Sequence, residues 1–186
     1  MSFVSKIAFP DVSLCASTDE LRPRMNYILY DKGCFVATDG HILVRIPFEI
    51  EPDSGLPEVF AIHRKHFKPL TKSGTAQNPV EIYFDDKYLI RFHKDEITHI
   101  VPVKIDCEYP NYEKILEESK KEAETPISEI GFFPSTLSRA MKIAEAILGR
   151  NYAIRMKLYA QNRAVRITCD YTKGFEMIVM PATLNS

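Results

Sequence analysis

Apolar and polar residues alternate with a period of two along most of this chain, the pattern of strands that bury one face. Residues 26–30 and 34–37 are two such runs, separated by Asp31-Lys32-Gly33, which suits a tight hairpin turn. A second turn at Asp39-Gly40 leads into a strand at 42–46. Residues 47–57 read as a loop, because three prolines and several acids break the alternation. A short strand at 59–62 runs into 63–68, a short basic helix confined by Pro69 and Gly74. After Asn78-Pro79 the alternation returns: Val80, Ile82 and Phe84 share one strand face. Asp85-Asp86-Lys87 turns the chain into 88–92, and Lys94-Asp95 turns it into 97–105.

Residues 117–124 are nearly all charged or small, a solvated linker or a frayed helix, and Pro126 restarts the fold. A strand is expected at 127–133. The longest helix is expected at 136–148, capped by Ser135 and ended by Gly149. Within it Leu137, Ala140, Met141, Ala144, Ile147 and Leu148 have the spacing of one buried stripe, with Arg139 and Lys142 off it. Three more strands follow at 153–159, 164–169 and 175–179, with turns at Gln161-Asn162 and Thr172-Lys173-Gly174. The order strand, helix, strand, strand, strand therefore occurs at 59–105 and again at 127–180. A degenerate first copy with little or no helix covers about 11–48. Mostly antiparallel sheet with helices on one face is α+β, and repeats that cannot bury their own sheet face must pack on other copies.

Composition narrows the function. The chain has 186 residues, 45% of them hydrophobic and 26% charged, an ordinary globular balance. A chain of this size buries roughly 70% of its unfolded surface, so its core needs no metal or disulfide. Cys15, Cys34, Cys107 and Cys169 form no C-x-x-C pair and read as small buried hydrophobes of a reducing, cytoplasmic setting. Met1-Ser-Phe-Val-Ser-Lys lacks a leader's apolar core, and no run approaches the ~20 residues of a membrane span. A net charge of −1 argues against a tight, general nucleic-acid binder. It allows weak contact, since affinity rises with every phosphate neutralised.

Candidate chemistry is sparse. Asp39 and His41 straddle a turn with no partnered nucleophile motif, which does not make a catalytic dyad. His63 and His66 lack a carboxylate or cysteine to complete a metal site, and no cofactor is expected. Tyr27, Tyr30, Phe35, Phe84, Tyr88 and Phe92 lie on strands and read as core or cross-strand pairs. Residues 59–80 hold Arg64, Lys65, Lys68 and Lys72 and no acid. With Arg139, Lys142 and Arg150 they read either as solvated helix faces or as a surface that touches phosphate without reading sequence.

Four stretches, in order, carry a resemblance. Residues 36–44, V-A-T-D-G-H-I-L-V, resemble the A-T-D-G-H-R-L-A segment of the bacterial replicative sliding clamps, the beta subunits of DNA polymerase III. Arg64-Lys65 after a short strand is similar to their P-R-K helix entry. Residues 108–116, E-Y-P-N-Y-E-K-I-L, resemble their F-P-D-Y-R-R-V-L stretch, and 178–184, I-V-M-P-A-T-L, their terminal V-V-M-P-M-R-L. The resemblance implies a DNA-clamp fold with antiparallel sheets outside, helices facing a DNA channel, and no catalysis. Matched residue by residue, it implies a peptide-docking cleft of Met25, Thr38, Gly40, His41, Ile42, Leu43, Pro110, Ile115, Ile178, Met180 and Pro181. It favours the phosphate-contact reading of the seven cations. The family chain holds three complete domains, and this one is about half as long. The expected division is 1–117 as a clamp domain of two half-units, 118–126 as a charged linker, and 127–186 as a half-domain with a C-terminal tail. The expected function is a processivity or partner-tethering factor of DNA replication. Its partners would be duplex DNA, bound weakly and without sequence preference, a polymerase or other clamp-binding peptide, and further copies of itself. The alternative is an interaction regulator that binds partner peptides without encircling DNA.

Overall fold

Most of the alternating runs are strands, and they form two sheets in which the first strand of a repeat joins the other repeat. The computed structural model describes residues 2–5, 9–50, 54–72, 80–93, 96–121, 129–158 and 163–183. Expectations placed on Gly74, Asn78-Pro79, Lys94-Asp95, 122–128, Tyr159, Gln161-Asn162 and Leu184 lie outside them.

The strands are β1 (Ser2–Ser5), β2 (Tyr27–Asp31), β3 (Cys34–Thr38), β4 (Ile42–Pro47), β5 (Phe60–His63) and β6 (Val80–Asp85). Then come β7 (Tyr88–His93), β8 (Glu96–Pro102), β9 (Arg155–Lys157), β10 (Val165–Thr168) and β11 (Glu176–Val179). One sheet has the order β1-β6-β7-β8 and the other β5-β2-β3-β4-β11-β10-β9. All the pairings are antiparallel. Strand β5 of the second repeat completes the sheet of the first, and β1 completes the sheet of the second. Strand β1 precedes the expected start of the first repeat near Asp11. The third repeat adds β11 to the free edge of β4, pairing Ile178 with Leu43 and Val179 with Ile42.

Among the described residues three α-helices decorate the sheets: α1 (Arg64–Phe67), α2 (Tyr112–Glu118) and α3 (Pro134–Leu148). Between Phe9 and Asn26 the chain makes turns and one 3-10 turn, so the first repeat has no α-helix there. Helix α3 starts two residues before its expected start. Pro134 occupies its first turn and the preceding Phe133 makes no side-chain cap, so Ser135 is not the cap. Proline suits that position because its fixed φ is helical and its missing N–H has no intrahelical partner anyway. The buried stripe is Ala140, Ile143, Ala144 and Leu148, while Leu137, Met141 and Ile147 sit at its half-buried margin. The strand expected at 127–133 is reduced, among its described residues, to a single bridge from Gly131 to Ala182. Strand β8 ends at Pro102 and β9 spans only three residues, both shorter than the alternation suggested.

The period of two sorts each strand between two cores. Ile28, Tyr30, Phe35, Ala37, Ile42, Val44, Phe60, Ile62, Ile167, Met177 and Val179 face inward. They meet Phe9, Val12, Phe67 and the stripe of α3, together with Ile82, Phe84, Leu89 and Val101 of the smaller sheet. Rings dominate its centre: Phe35 lies 4.8 Å from Phe9 and 5.1 Å from Tyr30, and Tyr30 stacks on Phe60 at 4.9 Å. Leu29, Val36, Leu43, Ala61 and Ile178 face outward, where Tyr112 and Leu116 of α2 cover them. Helix α2 was hidden in the sequence by its charged surroundings. Its signal is an Asn111 cap that accepts from Lys114 N at 3.1 Å, followed by Tyr112, Ile115 and Leu116 at helical spacing. It ends at Glu118, just past the expected domain boundary. The β2–β3 hairpin is pinned beneath it: Tyr112 donates to Asp31 at 2.7 Å and Lys32 pairs with Glu113.

Candidate peptide cleft and basic face

The turn joining β3 to β4 is built by its own side chains. Thr38 is buried, and its hydroxyl donates to Ile42 O at 2.8 Å while accepting from Gly40 N at 3.1 Å. Asp39 Oδ1 accepts from the backbone N–H groups of His41 and Ile42, each at 2.9 Å. Gly40 has φ of +91°, a region costly to residues with a Cβ. A Cβ there would sit 3.1 Å from Arg22 Nη1 and 3.8 Å from Met25 Sδ. The N–H of Met180 donates to His41 O at 2.9 Å, which ties the segment after β11 to the same turn.

This turn separates two concavities. On the outer side, a cleft of about 480 Å³ is lined by Gly40, Ile115, Met180 and Ala164, with Glu118, Ser119, Lys121 and Arg163 around them. Gly40, Ile115 and Met180 are thus brought together from three distant stretches of sequence. Leu43 and Ile178 lie in the buried outer-face cluster against which Ile115 packs, and so support the cleft from below. Met25 is not in the lining and packs beside Gly40, next to Arg22. The other expected members differ. Thr38 is consumed inside the turn, and Ile42 points into the inner core because its parity is opposite to that of Leu43. His41 lines the opposite concavity, and the half-buried Pro110 and Pro181 are not in the lining. Glu118, Ser119, Lys121, Arg163 and Ala164 escaped sequence reasoning. They sit on a helix and a strand entry whose proximity is purely tertiary.

Beneath the cleft lies a hub of charge. Glu176 is buried and accepts from Arg166 and, at 3.2 Å, from Arg45, with Lys120 Nζ 4.0 Å away. Nearby, Tyr109 is held well above the ordinary phenol range by burial, and its hydroxyl points at Val36 O.

On the inner side, a pocket of about 420 Å³ is lined by Arg22, Asp39, His41, Arg64 and Arg139 together with Leu14, Asp19 and the small residues 16–18. Its wall is partly the irregular segment between Phe9 and Asn26 that has no α-helix. Two of the seven expected phosphate contacts, Arg64 and Arg139, meet here, and Arg22 joins them without having been anticipated. Arg139 is engaged by Asp39, whose second oxygen it takes, and Arg22 lies 3.7 Å from Asp19. Arg64 has a buried Nε with no hydrogen-bond partner. Lys65, Lys68, Lys72 and Lys142 are exposed away from this pocket, and Arg150 pairs with Glu145. His63 is a structural cap: its Nδ1 accepts from Lys65 N at 3.2 Å. Among the described residues no group of three or more His, Cys, Asp or Glu could hold a metal ion, and no helix is long and apolar enough to cross a membrane.

Two antiparallel sheets built from exchanged β-α-β-β-β repeats, with α1 and α3 on the inner face and a cleft outside, define the DNA-clamp fold. Solved structures of bacterial sliding clamps, the beta subunits of DNA polymerase III, share it. The Pseudomonas aeruginosa sliding clamp superposes with a TM-score of 0.64 at 16% identity, over 92% of this chain and 62% of its own. A putative DNA polymerase III beta subunit from Eubacterium rectale gives 0.68 at 13% identity, over 92% and 61%. The Bacillus subtilis clamp gives 0.62 at 16% identity, over 93% and 60%. The chain therefore spans about 60% of the length of the clamps it matches. One solved Pseudomonas aeruginosa clamp is bound to griselimycin. No protein-family profile and no curated protein matches the chain.

Proposed function

We propose that this protein is a clamp-like tethering factor: it holds a partner's short peptide in the outer cleft while its inner face rides on duplex DNA. The observation that carries this reading is the turn at 38–41. It sends Gly40 to a cleft with an apolar floor and Asp39 and His41 to an arginine-lined pocket on the other side. An extended peptide suits the cleft, because apolar side chains line it and a glycine admits close backbone approach. Mobile rather than tight DNA contact suits the inner face. Arg139 and Arg150 are already paired with Asp39 and Glu145, so each must exchange partners to reach a phosphate. Neither activity requires a cofactor or a reacting group. Self-association would supply the rest of an encircling wall. The exposed edges of β8 and β9 are available for strand addition between copies, since an unpaired edge is a ready template.

The test is retention on circular against linearised DNA, with and without a clamp loader. An encircling protein stays on circles and runs off ends, and equal loss from both forms overturns encirclement. A second reading, a regulator that competes for clamp-binding peptides without a ring, is favoured by the inner-face arginines Arg139 and Arg150 being already engaged by Asp39 and Glu145. It requires peptide binding that survives when DNA retention does not.

A further inference from the structure

Resting on the cleft reading above, we infer that the cleft selects peptides carrying a carboxylate beside their apolar anchor, and that Lys121 and Arg163 are the residues that read it. The floor of the cleft is apolar, with Ile115, Ala164 and a well-exposed Met180. Its polar edge is not neutral. Its one acid among the described residues, Glu118, lies 4.0 Å from Lys114, one helical turn back, so two cations face a single carboxylate there. The Ser119 hydroxyl proton is spent on Leu116 O at 2.7 Å. Lys121 and Arg163 are both exposed and have no ion-pair partner among the described residues.

One acid close to this edge is already engaged by other cations. The nearest buried carboxylate, Glu176, is already shared by Arg45, Arg166 and Lys120. Lys120 lies 4.0 Å from that carboxylate, while its neighbour Lys121 lines the cleft. Among the described residues, the charged donors left without an ion-pair partner at the cleft are thus an ammonium and a guanidinium at the edge of an apolar floor. Carboxylates are their natural acceptors, the guanidinium binding two oxygens at once and the ammonium acting as a point charge. An apolar peptide without an acid would bury Met180 and Ile115 but leave both cations partly desolvated and unpaired. Rim charges of this kind contribute selectivity more than raw affinity.

The experiment is selection of displayed random peptides on the immobilised full chain and on a Lys121→Glu, Arg163→Glu double variant, followed by fluorescence anisotropy of the enriched peptides. Both positions are exposed, so the variant keeps the fold, which circular dichroism verifies. The expected result is enrichment of Asp or Glu next to apolar residues on the unchanged chain and of Lys or Arg on the double variant. Peptides selected on the unchanged chain lose about tenfold in affinity for the variant, the sum of two exposed charge pairs. Apolar enrichment that depends on Met180, tested with Met180→Asp, but with no bias in peptide charge on either protein, overturns the inference and leaves the cleft. No enrichment that depends on Met180 or Ile115 overturns the cleft reading as well.

Discussion

Glu176 gathers Arg45, Arg166 and Lys120 at a buried position on the outer face of the large sheet. Removing it takes away the buried carboxylate that the half-buried Arg45 and Arg166 share, and losing one partner of a largely desolvated ion pair is costly. Glu176→Ala is expected to destabilise the fold by about 3 kcal/mol, read from urea denaturation midpoints. A change below a few tenths would mean the hub is solvated. His63 offers a pH handle. Burial first, then Lys65, His66 and Arg64, hold its imidazole below the usual value near 6.5. In addition, its cap to Lys65 N requires a bare Nδ1. The unfolded chain therefore takes up the proton at higher pH than the folded one. Stability is full above that value, falls as pH drops through it, and levels off below the folded pKa. His63→Asn, which caps without titrating, should flatten this part of the pH profile. Gly40→Ala forces a Cβ into a left-handed conformation beside Arg22, at an expected cost of about 1–2 kcal/mol.

Helix α2 shows how an element can be invisible yet decisive. Seven residues could not stay helical alone in water, because nucleation outweighs so few propagating bonds. It persists because Tyr112 and Leu116 fill the outer face of the sheet and Asp31 and Lys32 of the hairpin grip its first turn. Leu116→Ala should cost about 2–4 kcal/mol and weaken peptide binding together, because Ile115 and Glu118 move with it. Peptide affinity unchanged in a fully folded Leu116→Ala protein would separate α2 from the cleft. The long helix α3 was legible for the opposite reason: its apolar stripe repeats over four turns, so periodicity alone found it. Only its first residues were misplaced, where Pro134 overrode the Ser135 cap.

At the scale of the molecule, β4 and β11 join distant repeats into one seven-stranded sheet, and the smaller sheet shares its core. Of the edge strands, β8 with exposed Ile97 and Ile100 and β9 with exposed Met156 are where copies would meet under the proposed self-association. Sedimentation is expected to show association that grows with protein concentration and is lost on Ile97→Lys with Ile100→Lys. A monodisperse monomer of the unchanged chain at high concentration excludes assembly through these edges. Reversing Lys65, Lys68 and Lys142 to Glu should lower DNA affinity and flatten its salt dependence, since each phosphate contact adds about 0.9 to the slope.

The sequence by itself determined the strands with strict alternation, the hairpin at Asp31-Lys32-Gly33, the helix α3 and the clamp-like motif around Asp39. Each depends on interactions within a few residues, and the local period records them. The resemblance carried by its motifs also suggested that Gly40, Ile115 and Met180 share a groove, and these three do line one concavity. Only tertiary structure decided the exchange of β1 and β5 between sheets, the pairing of β11 with β4, and the survival of α2. It likewise decided that Ile42 and Thr38 turn away from the cleft while Lys121 and Arg163 turn toward it. Those outcomes depend on which buried face and which buried carboxylate a residue meets across the fold, and sequence spacing carries no record of that.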